Sequence, residues 1–346
     1  MPHSHHRGRL PYIERDESWM YFNKRILLEA ARTDLPLLER FNYLGIYSNN
    51  LDEFFRVRVA SLRRIVGSPE AIPTQERRKA RETLRTIIRL NHEYSALFDR
   101  TFTDLLQSLN EAHIHIINEQ ELTTDQEDEV LSFFMDKING ITNPIFINSP
   151  TFRPEQHLKE SLYLVVVLWH EQGEEELAHD VALLEVPTKE LGRFLRLRDK
   201  DGESYLMFLD DVLRYCLPYI FIGREYAQYE AYTFKFTKDA EFELEQDLRS
   251  SVIEMVSRGV KRRGRGEAVR VVYDEALSPE ILRRLSDMAE LNYRDMRIGG
   301  GRYHNMRDLM TLPDCGRPGL RFPKQEPLQM DEFHYAQSII SQVLRR

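Results

Sequence analysis

Cysteine is nearly missing from this chain: 346 residues hold two, Cys216 and Cys315. Two thiols so far apart exclude a disulfide framework and a cysteine-built zinc site. Glycine and proline are sparse as well, at 16 and 15 residues. That excludes collagen-like repeats and long low-complexity tracts. Long hydrophobic runs are lacking: the longest, residues 162–169, falls far short of the roughly 20 residues a membrane-spanning helix needs. The opening MPHSHHRGRLPYIERDE has no apolar stretch of the kind a secretory signal carries. Nor is there a surplus of basic charge, with 48 Lys and Arg against 56 Asp and Glu and a net charge of −8. Such a body repels polyanions weakly at long range, which argues against general nucleic-acid binding and confines any anion site to a local patch. The expectation is a reduced, cytoplasmic protein without a transmembrane segment.

What is there reads as a globular protein, 42% hydrophobic and 30% charged, long enough for two or three domains of about 100–200 residues. Residues 1–112 carry helical periodicity almost throughout. Trp19, Phe22, Ile26 and Ala30 recur at spacings of three and four and predict the buried face of a first helix. Pro36 suits a helix start, since its missing N–H is harmless there. Leu37, Leu38, Phe41 and Leu44 follow, and after Ser48-Asn49-Asn50 the pattern restarts with Leu51, Phe54, Phe55, Leu62 and Ile65. A long third stripe, from Leu84 to Leu109, completes a small antiparallel bundle.

Beyond residue 113 strand and helix patterns interleave. Strand-like runs fall at 114–117, 144–148, 162–170, 181–186, 194–197, 229–236 and 269–273, and helical stretches at 124–138, 206–217, 244–262 and 278–291. The fold class expected is therefore α+β: an N-terminal helical bundle over 1–112, then an α/β head domain with a mixed sheet over 113–320. The Pro- and Gly-rich stretch from Pro313 to Pro327 reads as a linker.

Few residues carry recognisable chemistry. Asn50 with Glu53 three residues on has the spacing of an N-cap and its capping box. The same helix N-terminus and the same amide suit an adenine edge, so the spacing leaves cap and ligand readings both open. Arg258, Lys261, Arg262, Arg263 and Arg265 form a basic corner among three glycines. They read either as cations complementing a helix C-terminus or as a phosphate-binding corner. Gly299-Gly300-Gly301 before Arg302-Tyr303-His304-Asn305 reads as a surface turn or a phosphate-cradling loop, without the Walker or GxGxxG pattern. His113 and His115 suit satisfied polar positions better than metal ligands, lacking an acidic or cysteine partner at motif spacing. No Ser–His–Asp, GxSxG, HExxH or CxxC arrangement is present, and the residues themselves name no catalytic nucleophile.

Residues 12–27, YIERDESWMYFNKRIL, and 36–59, PLLERFNYLGIYSNNLDEFFRVRV, resemble the amino-terminal domain of the bacterial polyphosphate kinase family of the first type. The passage 260–272 and the loop GGGRYHNMRDLMTLP at 299–313 resemble that family's head domain, so the resemblance spans essentially the whole chain. It implies a phosphotransferase that reversibly adds the terminal phosphoryl group of ATP to polyphosphate through a phosphohistidine, assisted by Mg2+. It also implies a nucleotide-binding role for Asn50 and a homodimer formed through the head domain, and with polyphosphate as partner the basic corner at Lys261, Arg262, Arg263 and Arg265 becomes a candidate contact for it. A cytoplasmic location with peripheral membrane association fits the same family. The family's nucleophilic His and its metal contacts lie in further domains, so the resemblance places no catalytic and no metal-binding residue in this chain. Residues 321–346 would then be a linker and the start of that catalytic region. The other reading is a non-catalytic nucleotide- or polyphosphate-binding or dimerisation module derived from the enzyme.

Overall fold

In the computed structural model, helix α1 (Arg15–Ala30) starts where the Glu14 carboxylate accepts the Asp16 N–H at 2.6 Å, satisfying one of the open N–H groups of the first turn. The structure describes residues 12–67, 72–149, 152, 159–170, 179–238, 268–288, 297–326 and 339–344. The buried face of α1 is Met20, Asn23, Leu27 and Ala30, with Phe22 left 47% exposed. It is therefore rotated by one residue from the Trp19–Phe22–Ile26 stripe. The reason is polar: Asn23 points inward to bond across to the next helix, and Trp19 covers the helix edge by stacking on Phe54 with ring centroids 4.0 Å apart.

That next helix, α2 (Leu37–Phe54), does not stop at Asn50. It runs through a π-helical turn at Phe55–Val59 into α3 (Ala60–Gly67). Leu44, Tyr47, Leu51 and Phe54 keep three- and four-residue spacing across the expected break. The change of phase beyond Phe55 is absorbed by the wider π turn, which inserts a residue without ending the helix. Helix α4 (Thr74–Glu111) is 38 residues long and buries Ile87, Leu90, Tyr94, Phe102, Leu105 and Leu109 against α1–α3.

The remainder of the described chain is built on two sheets. The smaller has the order β1-β6-β5: β1 (Ile114–Ile117) is parallel to β6 (Glu203–Phe208), which is antiparallel to β5 (Phe194–Lys200). Asp201-Gly202, both at positive φ, make the two-residue turn of the β5–β6 hairpin. The helix expected over 206–217 is thus strand as far as Phe208, and helix α6 (Leu209–Tyr215) begins only afterwards. Before it, α5 (Thr124–Phe133) opens one residue earlier in its capping motif than expected: Gln126 Oε1 accepts from the Thr123 N–H and hydroxyl at 3.0 and 3.1 Å.

The larger sheet has six strands in the order β2-β4-β3-β7-β8-β9, antiparallel except for the last pair. These are β2 (Ile145–Phe146), β3 (Leu162–His170), β4 (His179–Glu185), β7 (Tyr226–Lys238), β8 (Ala268–Asp274) and β9 (Arg297–Gly300). β3 is buried from Leu162 to Leu168 because both its faces are covered. Period-two alternation sends Leu162, Leu164, Val166 and Leu168 into the core shared with α5 and α6. Tyr163, Val165 and Val167 face the other core, under α7 (Pro279–Met288).

The helical and head regions share a core. Ile114, Leu206, Phe208, Leu309 and Leu312 join the cluster formed by α1, α2 and α4. The Pro- and Gly-rich stretch from Pro313 is fastened rather than a loose linker as far as Phe322. Arg317 donates to the carbonyls of His113 and Gly202, both at 2.9 Å, and the Phe322 N–H reaches Glu39. Among the described residues no helix is long and apolar enough to cross a membrane.

Candidate functional site

Asn50 lies inside α2, half-buried, on the side that faces α1. The N-cap and capping-box reading of Asn50 and Glu53 is therefore corrected: with no free helix N-terminus there is nothing to cap. Asn23 on α1 donates its amide to the Tyr47 carbonyl at 3.2 Å and accepts from Asn50 Nδ2 at 3.3 Å. The chain of bonds fixes which way each amide points, since a flipped Asn23 would face the Tyr47 carbonyl with its own oxygen. Among the described contacts this is the one side-chain bond Asn50 makes. An amide has two donors and an acceptor, so Asn50 keeps its oxygen and one N–H for something else.

The opposite side of α2 ends on a charge cluster. Asp52 accepts from Lys235 Nζ on β7 at 2.5 Å and from Arg270 Nη1 on β8 at 2.7 Å. Lys235 also donates to Asn305 Oδ1 at 2.8 Å, and the Arg270 guanidinium lies over the Phe55 ring, 4.8 Å from its centroid. Burial pushes the Asp52 carboxyl upward, but Lys235, Arg270 and Arg307 outweigh it and hold it below the usual carboxylate range. Asp52 stays ionised and ties the bundle to the sheet.

The loop after β9 is the third element. It is a packed junction, so the surface-turn reading is corrected. Tyr303 donates its hydroxyl to Asp211 Oδ2 at 2.6 Å, and Arg302 bonds Asp211 Oδ1 at 2.8 Å and also Glu119. Arg193, 2% exposed, joins Asp210 at 2.7 Å and donates to the His304 carbonyl at 2.9 Å. His304 is pushed down to about 3 by burial and the neighbouring cations Arg270, Arg193 and Lys235, so its ring is neutral. The 3-10 turn that follows, Met306–Thr311, packs on α2 at Gly45, where an added Cβ would come 2.6 Å from Met310 Cγ.

With α2, the sheet and this loop forming one assembly, the relatives of the chain become informative. The model described as "Polyphosphate kinase N-terminal domain" matches residues 12–117, and "Polyphosphate kinase middle domain" matches residues 125–312. The chain belongs to the polyphosphate kinase family. It is 33% identical to the polyphosphate kinase of Yersinia pestis over 331 residues, covering 93% of this chain and 47% of that protein. It is 33% identical to that of Escherichia coli K12 over 317 residues, covering 89% and 44%. The crystal structure of polyphosphate kinase from Porphyromonas gingivalis matches with a TM-score of 0.74 and 28% identity, covering 97% of this chain and 46% of that one. The chain spans about half the length of the curated relatives it matches.

Within this member of the polyphosphate kinase family, Lys261, Arg262, Arg263 and Arg265 lie outside the described residues. His113 and His115 do have an acidic partner after all, supplied from another strand: Glu203 receives His113 Nδ1 at 2.9 Å and His115 Nε2 at 2.7 Å. Those hydrogen bonds hold Glu203 below its ordinary range. Even so, among the described residues no group of three or more His, Cys, Asp or Glu side chains is placed to hold a metal ion. Cys216 and Cys315 are buried, and burial pushes the Cys216 thiol up to about 12, which makes it inert. Asn23, Asp52 and Arg270 fall within the segments that carry the family resemblance, but neither they nor Lys235 had a role assigned by spacing. Their importance depends on partners between 24 and 218 positions away.

Proposed function

We propose that this chain is the amino-terminal half of an ATP:polyphosphate phosphotransferase, working reversibly on ATP and inorganic polyphosphate. The observation that carries the reading is that both polyphosphate kinase domain models match one continuous chain in order. In this reading Asn50 contacts the adenine of the nucleotide. Its uncommitted amide oxygen and N–H make the donor–acceptor pair that an adenine edge needs, and Asn23 holds it in place. Phosphoryl transfer needs a nucleophile in line and cations on the transferring oxygens. No His in this chain is assigned as the phosphohistidine, so that role falls to the part of the relatives beyond the matched half. Polyphosphate contact at Lys261, Arg262, Arg263 and Arg265 and homodimerisation through the head region belong to the same proposal.

The test has two arms. The chain alone, incubated with γ-labelled ATP and Mg2+, stays unlabelled; acid-labile label on any of its histidines overturns the assignment. In a polyphosphate-synthesising enzyme that contains this chain, Asn50→Asp raises KM for ATP while kcat changes little, because the adenine end is remote from the chemistry. An unaltered KM in a folded enzyme removes Asn50 from the nucleotide site.

A further inference from the structure

Between α2 and α4 of the bundle and the loop after β9 lies a cleft of about 100 Å3. The cleft has room for several waters or a small ion. Its lining is unusual in leaving polar atoms unpaired. Tyr47, 3% exposed, has no hydrogen-bond partner for its hydroxyl among the described residues. Arg270, 8% exposed, spends Nη1 on Asp52 and leaves Nε–H without one. His304 hydrogen-bonds the Tyr273 main chain, and its buried Nε2 is likewise unpaired. A buried donor or acceptor left unmade is costly, and three around one small space call for a common occupant.

The chemistry of the three atoms narrows that occupant. Tyr47 and Arg270 offer O–H and N–H donors. Burial pushes the Tyr47 phenol above its usual range, so it remains a donor. The neutral His304 ring, with its other nitrogen donating to the main chain, presents Nε2 as an acceptor. The nearby cation Lys235 and the hydroxyl of Ser95 also line the cleft, and Asp99 stands at its exposed rim. Gly300 leaves room for the His304 ring: a Cβ there would come 3.1 Å from His304 Cε1.

We propose that this cleft binds a protonated tetrahedral oxyanion, either inorganic phosphate or the terminal phosphoryl group of a phosphate chain. Its oxygens accept from Tyr47 and Arg270, and its O–H donates to His304 Nε2. Because α2 and α4 form one wall and the head loop the other, the bound ion clamps the two regions together. The site stands apart from the adenine reading at Asn50, and either can fail alone.

The experiment titrates the full chain with orthophosphate, tripolyphosphate and sulfate, followed by calorimetry and thermal denaturation. Orthophosphate raises Tm in a dose-dependent way. Sulfate, which has no O–H at neutral pH, binds roughly tenfold more weakly or worse, since the His304 acceptor is left unpaired. Tyr47→Phe removes a hydroxyl that has no protein partner. It keeps the ligand-free Tm or raises it slightly, and weakens phosphate about fivefold or more. Arg270→Lys keeps the charge opposite Asp52 but lacks Nε–H and also loses binding. If tripolyphosphate competes with orthophosphate, the site takes a chain end; if only orthophosphate binds, it takes the free ion. Either outcome supports the site. Absence of phosphate binding, equal binding of sulfate, or unchanged affinity in Tyr47→Phe overturns it.

Discussion

Lys235 on β7 places its ammonium 2.5 Å from the Asp52 carboxylate on α2, joining residues 183 positions apart across the boundary between bundle and sheet. Arg270 completes the cluster from β8 at 2.7 Å, and all three side chains are less than a fifth exposed. Asp52→Asn leaves two cations without their counter-charge and is expected to cost about 3 kcal/mol. The carboxyl is held below its unfolded value, near 3.9, so its contribution is fully present above that value. It is lost as pH falls below about 4 through the folded value. Thermal denaturation from pH 7 to pH 3 should show the variant losing less stability with acid than the parent. Parallel acid limbs would show that Asp52 carries no linked proton.

Gly45 sits inside a helix, where alanine would ordinarily gain about 1 kcal/mol. Here the added Cβ meets Met310 Cγ at 2.6 Å and the Arg307 carbonyl and Met310 nitrogen at 3.1 Å. The side chain can swing away, but the two backbone atoms cannot without shifting the 3-10 turn. Gly45→Ala should therefore be destabilising, by roughly 1–3 kcal/mol. A rise in Tm would mean that the turn moves off α2 at little cost.

Asn50 separates two pictures of one residue by stability alone. At an N-cap, Asp would replace Asn without loss. Inside α2 the amide of Asn50 donates to Asn23 Oδ1, and a carboxylate would face that oxygen with another acceptor. Asn50→Ala should cost about 1 kcal/mol and Asn50→Asp more than that. Urea denaturation of the two variants gives the order directly. Asp more stable than Ala would favour a capping role.

Arg193 and Asp210 form a pair that is almost wholly buried, at 2.7 Å. Burial pushes the Asp210 carboxyl upward even beside Arg193, a sign of how dearly the charge is held. Arg193→Met strands that carboxyl and frees the His304 carbonyl, and should cost about 3–5 kcal/mol. The double variant Arg193→Met with Asp210→Asn should recover part of this. A double variant as unstable as the sum of the single losses would show that the two residues are not coupled.

Much of the order of elements was legible in the sequence because burial leaves a periodic trace, though β6 and β9 were not. A both-faces-buried strand such as Leu162–His170 reads as an unbroken apolar run, and the α4 stripe recurs from Leu84 to Leu109. The β5–β6 hairpin at Asp201-Gly202 does not show in the sequence, because the apolar run beyond it suits strand and helix alike and reads as helix. The phase of α1 and the continuity of α2 were not legible. Asn23 is a polar residue on the buried face, and only its bonds to Tyr47 and Asn50 make that position tolerable.

Periodicity by itself pointed to an α+β fold, and the segments at 12–27 and 36–59 carried the resemblance to the polyphosphate kinase family that the two domain matches show. They are local properties, written within a few turns of helix or one strand. The tertiary structure alone decided that Asn50 is interior to α2, that Asp52 answers to Lys235 and Arg270, and that Arg302-Tyr303-His304 forms a half-buried junction on Asp211 and Arg193. Each depends on a charge or a hydrogen bond whose partner lies far along the chain. A polar side chain's role is set by what meets it after folding, and spacing carries no record of that.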